Sequence, residues 1–270
     1  MSSDIKLKIR RAFDQSASQY DRYADFQNDI AHKLSKRVTA LGLKNAIAVE
    51  MGCGTGTLAK SLAESALFKS VTAYDISFAM LCETKKAVNG TNLSVTQADA
   101  ELLPFKNDSV DLTATNLMLQ WAQDLNAVFA ETARSLKPEG RILATCLGQK
   151  TFHELRSAMT SACHSFGKEA GPSMFHNFPG EEKLVSAAQS AGFSVKSEKK
   201  VYIRKHDDAW SFIRSLKRIG VQNSEGLSSM GLGRRQIMKK FADEYRARYA
   251  LNDGVSVTYE VIYLDASLAR

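Results

Sequence analysis

Cysteine is scarce. There are four in 270 residues, at Cys53, Cys82, Cys146 and Cys163, with no C-x-x-C pair among them. Scattered thiols exclude a disulfide framework and a zinc knuckle, so no metal is expected and a reducing cytoplasm is the expected compartment. No apolar run approaches the ~18 residues that a membrane span needs. The opening MSSDIKLKIRRAFDQS has neither a continuous apolar core nor a small-residue cleavage site, so no secretory signal is expected there. Internal repeats and low-complexity tracts are missing as well. What remains is ordinary for a globular protein: 44% hydrophobic and 24% charged residues. That is enough apolar side chain to offset the entropy of ordering, in a chain long enough for one large α/β domain or two small ones.

Acidic residues are the minority, 29 against 36 basic, for a net charge of +7. The excess lies late in the chain, where Arg204 to Arg248 includes Arg214, Lys217, Arg218, Arg234, Arg235, Lys239 and Lys240. Such a surface suits an acidic partner, whether nucleic acid or protein.

Residues 4–13 and 24–41 carry apolar side chains every three or four positions and are predicted helices, the second stopped by Gly42. The texture then changes to short apolar runs typical of buried parallel strands: 46–52, 70–75, 93–99, 109–116 and 140–147. Helical stretches lie between them, clearest at 57–67 and 124–136. Strands alternating with helices imply βαβ units and right-handed crossovers, so 43–147 reads as a doubly wound α/β core. Beyond it, helices are expected at 151–166, 179–193, 207–220 and 234–251, with strands at 195–204 and 255–264 and a polar, glycine-rich loop at 221–233. His153, His164 and His176 have no spacing that suggests a site and read as structural or surface residues.

The strongest local signal is Glu50-Met51-Gly52-Cys53-Gly54-Thr55-Gly56, directly after the first predicted strand. Glycines there let the backbone turn sharply and approach a ligand closely. A dinucleotide site would read G-x-G-x-x-G with pyrophosphate on the helix N-terminus. Here the pattern is G-x-G-x-G, and Glu50 at the strand end would repel phosphate but suit an ammonium or sulfonium. Asp75 ends the second strand at the spacing expected of an acid that binds ribose hydroxyls. Asp99 ends the third, where it could read an adenine amino group. Together these acids and the glycine turn describe S-adenosyl-L-methionine.

The segment Glu50 to Gly56 resembles the first motif of class I S-adenosylmethionine-dependent methyltransferases. Asp75, Asp99-Ala100, Leu103 to Phe105 and Asn116-Leu117 follow as that superfamily expects. An N-P-P-Y motif, as in nucleic-acid adenine methyltransferases, does not stand after the fourth strand, where the residues are Asn116-Leu117-Met118-Leu119. Further segments resemble one family over almost the whole chain: Ala17-x-x-Tyr20-Asp21-x-x-Ala24-x-x-Gln27, Leu119-Gln120-Trp121, Gly148-Gln149-x-Thr151-Phe152-x-Glu154-Leu155, and Ser215-Leu216-Lys217-x-Ile219-Gly220 with Asn223. They are similar to the malonyl-acyl-carrier-protein O-methyltransferases of biotin synthesis, the BioC family.

The resemblance implies a Rossmann-like, seven-stranded, mostly parallel sheet with an antiparallel last strand, in a single domain. Residues 1–42 would be a helical cap, 43–147 the cofactor core, 148–206 and 252–270 the rest of the core, and 207–251 a helical lid. The expected cofactor residues are Glu50, Gly52, Gly54, Gly56, Asp75, Ile76, Asp99, Ala100, Asn116 and Leu117, with Gln27, Gln120 and Trp121 in the substrate pocket. The reaction implied is methylation of a malonyl carboxylate, leaving S-adenosyl-L-homocysteine and an ester that hides the charge from elongating enzymes. The acceptor is already ionised at neutral pH, so no general base is expected. Tyr20 would orient it, and Arg214 or Lys217 would hold the carboxylate or contact the carrier. The expected partner is malonyl-acyl carrier protein, acidic and drawn to the basic lid, with a coenzyme A thioester as a further acceptor. Nucleic acid and membrane are not expected, and the expected state is a monomer. Two other readings stand beside this one: a quinone-precursor C-methyltransferase, and a nucleic-acid-binding protein that keeps the cofactor fold.

Overall fold

The structure, a computed structural model, describes residues 2–88, 92–171, 175–220 and 234–268. In chain order its elements are α1 (Ser2–Ser16), a 3-10 turn (Ala17–Arg22), α2 (Asp25–Thr39), β1 (Ala46–Met51), α3 (Thr57–Ala63), β2 (Phe68–Asp75), α4 (Phe78–Ala87), β3 (Leu93–Gln97), β4 (Val110–Asn116), a second 3-10 turn (Leu119–Trp121), α5 (Leu125–Ser135), β5 (Leu136–Leu147), α6 (His153–His164), α7 (Glu181–Ser190), β6 (Phe193–His206), α8 (Ala209–Arg218), α9 (Arg234–Tyr249), β7 (Ala250–Leu251) and β8 (Gly254–Leu268). The chain divides into two compact units. The first comprises Met1–Cys146, Pro179–Lys199 and Ile262–Arg270, the second Leu147–Phe178 and Lys200–Val261.

The sheet order is β3-β2-β1-β4-β5-β8-β6, with β7 paired to β8. β1 runs parallel to both β2 and β4, and β2–β3 and β4–β5 are parallel too. Strand order therefore reverses between β1 and β4, the switch point outside whose carboxyl ends open α/β sheets bind ligands. β1 is an unbroken apolar run except for Glu50, and all but one of its residues are buried, as a central strand covered on both faces requires. The first unit's main core joins Val49, Met51, Tyr74, Phe129, Ile142, Leu184, Phe193 and Ile262. Each such side chain contributes roughly 1.5–3 kcal/mol by leaving water. Helix starts follow side-chain chemistry: Asp124 accepts from the Asn126 and Ala127 amides ahead of α5, and Ser77 accepts from Met80 ahead of α4.

Several strand ends differ from the sequence expectation: β2, β6 and β8 run longer, and β3 stops at Gln97, which leaves Asp99 just past the strand instead of ending it. Two further differences lie in the sheet. β5 begins at Leu136, not Gly140, because Leu136 pairs with Val110 before a register shift carries the pairing to Leu112 and Arg141. The polar residues between, including Glu139 at φ +62°, hide the strand's first part from a pattern reading. An eighth strand, β7, adds a two-residue antiparallel pair with β8. On the helical side, α3 stops at Ala63 because Phe68 already pairs with Ala46.

In the second unit, Ala158, Met159 and Cys163 of α6 share an apolar cluster with Ile237, Phe241 and Tyr245 of α9 and Ala209 of α8. Phe152, held at φ +59° ahead of α6, stands edge-on to Phe178, Phe212 and Tyr259. The Glu154 carboxylate accepts a hydrogen bond from the Thr258 hydroxyl, and the Thr151 hydroxyl donates to the Glu260 carbonyl at 3.1 Å. His153 lies 3.3 Å from Glu154 and edge-on to Tyr249. The expected lid helices are α8 and α9 of this unit; the loop 221–233, with Asn223, lies outside the described residues. Among the described residues, no helix is long and apolar enough to cross a membrane.

Candidate active site

At the carboxyl end of β1 the chain turns through Gly52, Gly54 and Gly56 at φ +68°, +55° and +93°. At Gly52 an added Cβ would lie 2.3 Å from Met118 Cγ, whereas at Gly54 nothing stands within 4 Å. The turn is thus packed on one glycine and open on another, which leaves bare backbone for a ligand to approach. Asp75 ties it to β2: the Gly54 amide donates to one carboxylate oxygen at 3.0 Å and the Ser77 amide to the other at 2.8 Å. Burial raises the Asp75 carboxyl above its ordinary range, although the amides of Ser77 and Gly54 oppose the shift.

Glu50 is only 1% exposed, and its Oε2 has no hydrogen-bond partner among the described residues. Burial first, and then the charge of Asp75, pushes its carboxyl well above the usual range. A buried carboxylate with a free oxygen is costly until a cation or donor reaches it. The chemistry of this turn therefore fits a positively charged ligand.

The N-terminal helices close on the same turn. The Thr55 hydroxyl donates to Asp21 at 2.6 Å and the Thr57 hydroxyl to Asn28 at 2.7 Å. Asp14 accepts from the Ser77 hydroxyl at 2.6 Å and from the Ala79 amide at 3.3 Å. Lys6 reaches both Asp99 and Glu101 at 2.6 Å, while the Glu101 amide donates to the other Asp99 oxygen. Ala100 follows half-buried, and the Ile76 carbonyl accepts from Gln97 at 2.8 Å.

Tyr20 lies in the 3-10 turn between α1 and α2. Burial, then the charges of Asp75 and Asp21, raise its hydroxyl pKa, so it remains a donor throughout the physiological range. At the end of β4, Asn116 donates to the Gln27 carbonyl at 3.1 Å and accepts from Thr145 at 2.8 Å. Leu117 takes φ +51°, unfavourable for a leucine, and its amide is held by the Thr145 carbonyl and hydroxyl at 3.0 and 3.1 Å. Gln120 is buried, donating to the Leu117 carbonyl at 2.6 Å, and Trp121 meets Phe13 of α1 edge-on with ring centroids 5.3 Å apart.

The first unit thus holds the sequence-predicted cofactor and pocket residues together with Tyr20. Arg214 and Lys217 belong to the second unit, exposed on α8. The clamp residues Lys6, Asp14 and Asn28 carried no signal in the sequence; Asp21 stands in the Ala17 to Gln27 segment that carries the family resemblance.

A methyltransferase-domain family model matches residues 49–144. The chain is 32% identical to a malonyl-[acyl-carrier protein] O-methyltransferase of Geobacter sulfurreducens, over 96% of this chain and 97% of that one. A protein of the same name from a Paenibacillus species is 29% identical over 97% and 98%. Among solved structures, the YcgJ protein of Bacillus subtilis superposes with a TM-score of 0.62 at 17% identity, covering 88% of this chain and 99% of that one. Sheet order, glycine turn and strand-end acids define a class I S-adenosylmethionine-dependent methyltransferase. Within that class, the chain belongs to the malonyl-[acyl-carrier protein] O-methyltransferase family.

Proposed function

We propose that this protein methylates the free carboxylate of a malonyl thioester carried by an acyl-carrier protein, as a cytoplasmic enzyme of biotin synthesis. The observation that carries this reading is the near-full-length similarity to relatives bearing that name. S-adenosylmethionine, when bound, supplies a methyl group on a positively charged sulfur that departs as S-adenosylhomocysteine. In this reading Glu50 faces the ligand's positive charge and the Gly52–Gly56 turn offers it backbone. Asp75 and Asp99, at the ends of β2 and just beyond β3, receive the ribose and adenine ends. Asn116 and Leu117 line the methionine end.

The acceptor needs no base, because a carboxylic acid with a pKa near 4 is already ionised. What the protein supplies is alignment of acceptor oxygen with the methyl carbon at ~3 Å and exclusion of water from the carboxylate. Tyr20, a donor beside Asp75, orients that oxygen, and Gln27, Gln120 and Trp121 wall the pocket. Arg214 and Lys217, exposed on α8, are read as contacts for the acidic carrier. The test is incubation with labelled S-adenosylmethionine and malonyl-carrier protein, a quinone precursor or RNA. A base-labile methyl ester on the malonyl carrier is expected. Label that resists base, or label on RNA, overturns the assignment.

A further inference from the structure

We propose that the groove between α8 and α9 seats the phosphodiester by which an acyl-carrier protein holds its pantetheine arm; the inference rests on the malonyl-carrier reading above. The groove has a volume of about 490 Å³ and is lined by Trp210, Ile213, Arg214, Lys217, Arg234, Arg235 and Met238. Its apolar side is fixed from beneath. Ile213 and Met238 belong to the cluster built on Phe241, and Trp210 stands edge-on to Phe241 with centroids 6.3 Å apart. Its polar side is four exposed cations, none of which makes an ion pair among the described residues. Residues 209–220 and 234–242 contain no aspartate or glutamate. By contrast, Glu244 further along α9 is already paired with Lys240 and Arg248.

Four like charges around one hollow repel each other, and an anion placed among them reverses the sign of that interaction. Three of the four are arginines, whose planar forks match the oxygens of a phosphate better than a lysine does. Carboxylates on a folded carrier are spaced along its surface, whereas a phosphodiester concentrates its charge at a point that four cations can share. The carbons that follow it in pantetheine are a branched, apolar segment, which the Trp210, Ile213 and Met238 side accommodates. Charge and then hydrocarbon, in that order, is the chemistry the groove presents.

The experiment compares malonyl-pantetheine with malonyl-phosphopantetheine as acceptors. It also follows Trp210 fluorescence, in a Trp121→Phe background, during titration with phosphopantetheine alone. The parent enzyme is expected to favour the phosphorylated acceptor in kcat/KM by about tenfold per arginine engaged. An Arg214→Gln/Arg235→Gln variant of unchanged thermal stability is expected to bring that ratio towards one and to lose the fluorescence response. The proposal is overturned if the parent shows no preference for phosphate, or if the variant keeps the ratio. It is equally overturned if both acceptors fall together, since the cations would then grip the malonyl carboxylate, or if an RNA oligonucleotide quenches Trp210 at lower concentration than phosphopantetheine. A parent that methylates no malonyl thioester refutes the proposed function, and the phosphopantetheine titration alone still decides the groove.

Discussion

The turn after β1 and the α8–α9 groove handle charge in opposite ways. At the turn the acids are buried and organised: Asp75 has an amide on each oxygen, and Glu50 is held out of water with one oxygen free. At the groove the cations are exposed, on helices whose apolar faces pack around Phe241. Buried charge is specific because its geometry is fixed and its mispairing is expensive. Exposed charge is screened and adaptable, and it favours encounter over exact fit. The contrast is what the proposed function requires: a small, constant ligand at the first place and an acidic carrier at the second.

The sharpest attempt to break that contrast is Asp75→Ala. It strips acceptors from the buried Ser77 amide, at about 1–3 kcal/mol, and from the half-buried Gly54 amide. Thermal denaturation should show a large loss of stability, and calorimetry should detect no S-adenosylmethionine binding. A fully stable, binding-competent variant would mean that the turn is not organised by its acid. Next in size is Gly52→Ala, which combines the φ +68° strain of about 1–2 kcal/mol with the 2.3 Å clash against Met118. Cofactor affinity should drop tenfold or more, and adding Met118→Ala should restore only the steric share.

Glu50 gives a pH signature. Burial, then the charge of Asp75, holds its carboxyl well above the range of an unfolded glutamate, so between the two values the native state binds more protons than the unfolded chain. Its contribution to stability is present below about pH 4 and declines as pH rises through the folded-state value. A cationic ligand favours the ionised form, so its affinity should rise with pH across the same window. Glu50→Gln should flatten both profiles, and calorimetry in buffers of different ionisation enthalpy would register the proton released by the parent. The mildest expectation concerns salt. Raising ionic strength from ~0.05 to ~0.3 M should lower kcat/KM for malonyl-carrier protein several-fold more than for malonyl-pantetheine. Equal sensitivity would remove the reason for treating α8 and α9 as a docking face.

Legibility in the sequence followed the range of the interactions. β1, the glycine turn and the strand-end acids were readable because a buried strand, a positive-φ turn and a spacing of about 20 residues are local patterns. The start of β5 was not, because its bulge interrupts the alternation. Nor was Leu117 at φ +51°, a conformation for which leucine is a poor advertisement. Lys6, Asp14 and Asn28 are ordinary polar residues on surface-patterned helices. What makes them part of the site is partners 93, 63 and 29 positions away, and no window of sequence shows that. Arg214 and Lys217 were visible as charges, but their convergence with Arg234 and Arg235 on one hollow needed three dimensions.

The clamp from the first two helices has a practical corollary. The segment 49–144 carries every glycine of the turn and the acids Glu50, Asp75 and Asp99. A minimal fragment cut to those limits would look complete by motif, yet it would discard Asp21 and Asn28, which steady Thr55 and Thr57, and Asp14, which secures the start of α4. If the turn binds the cofactor as proposed, the excisable module begins at α1, and a boundary drawn at residue 42 would cut away the side chains that steady Thr55, Thr57 and Ser77.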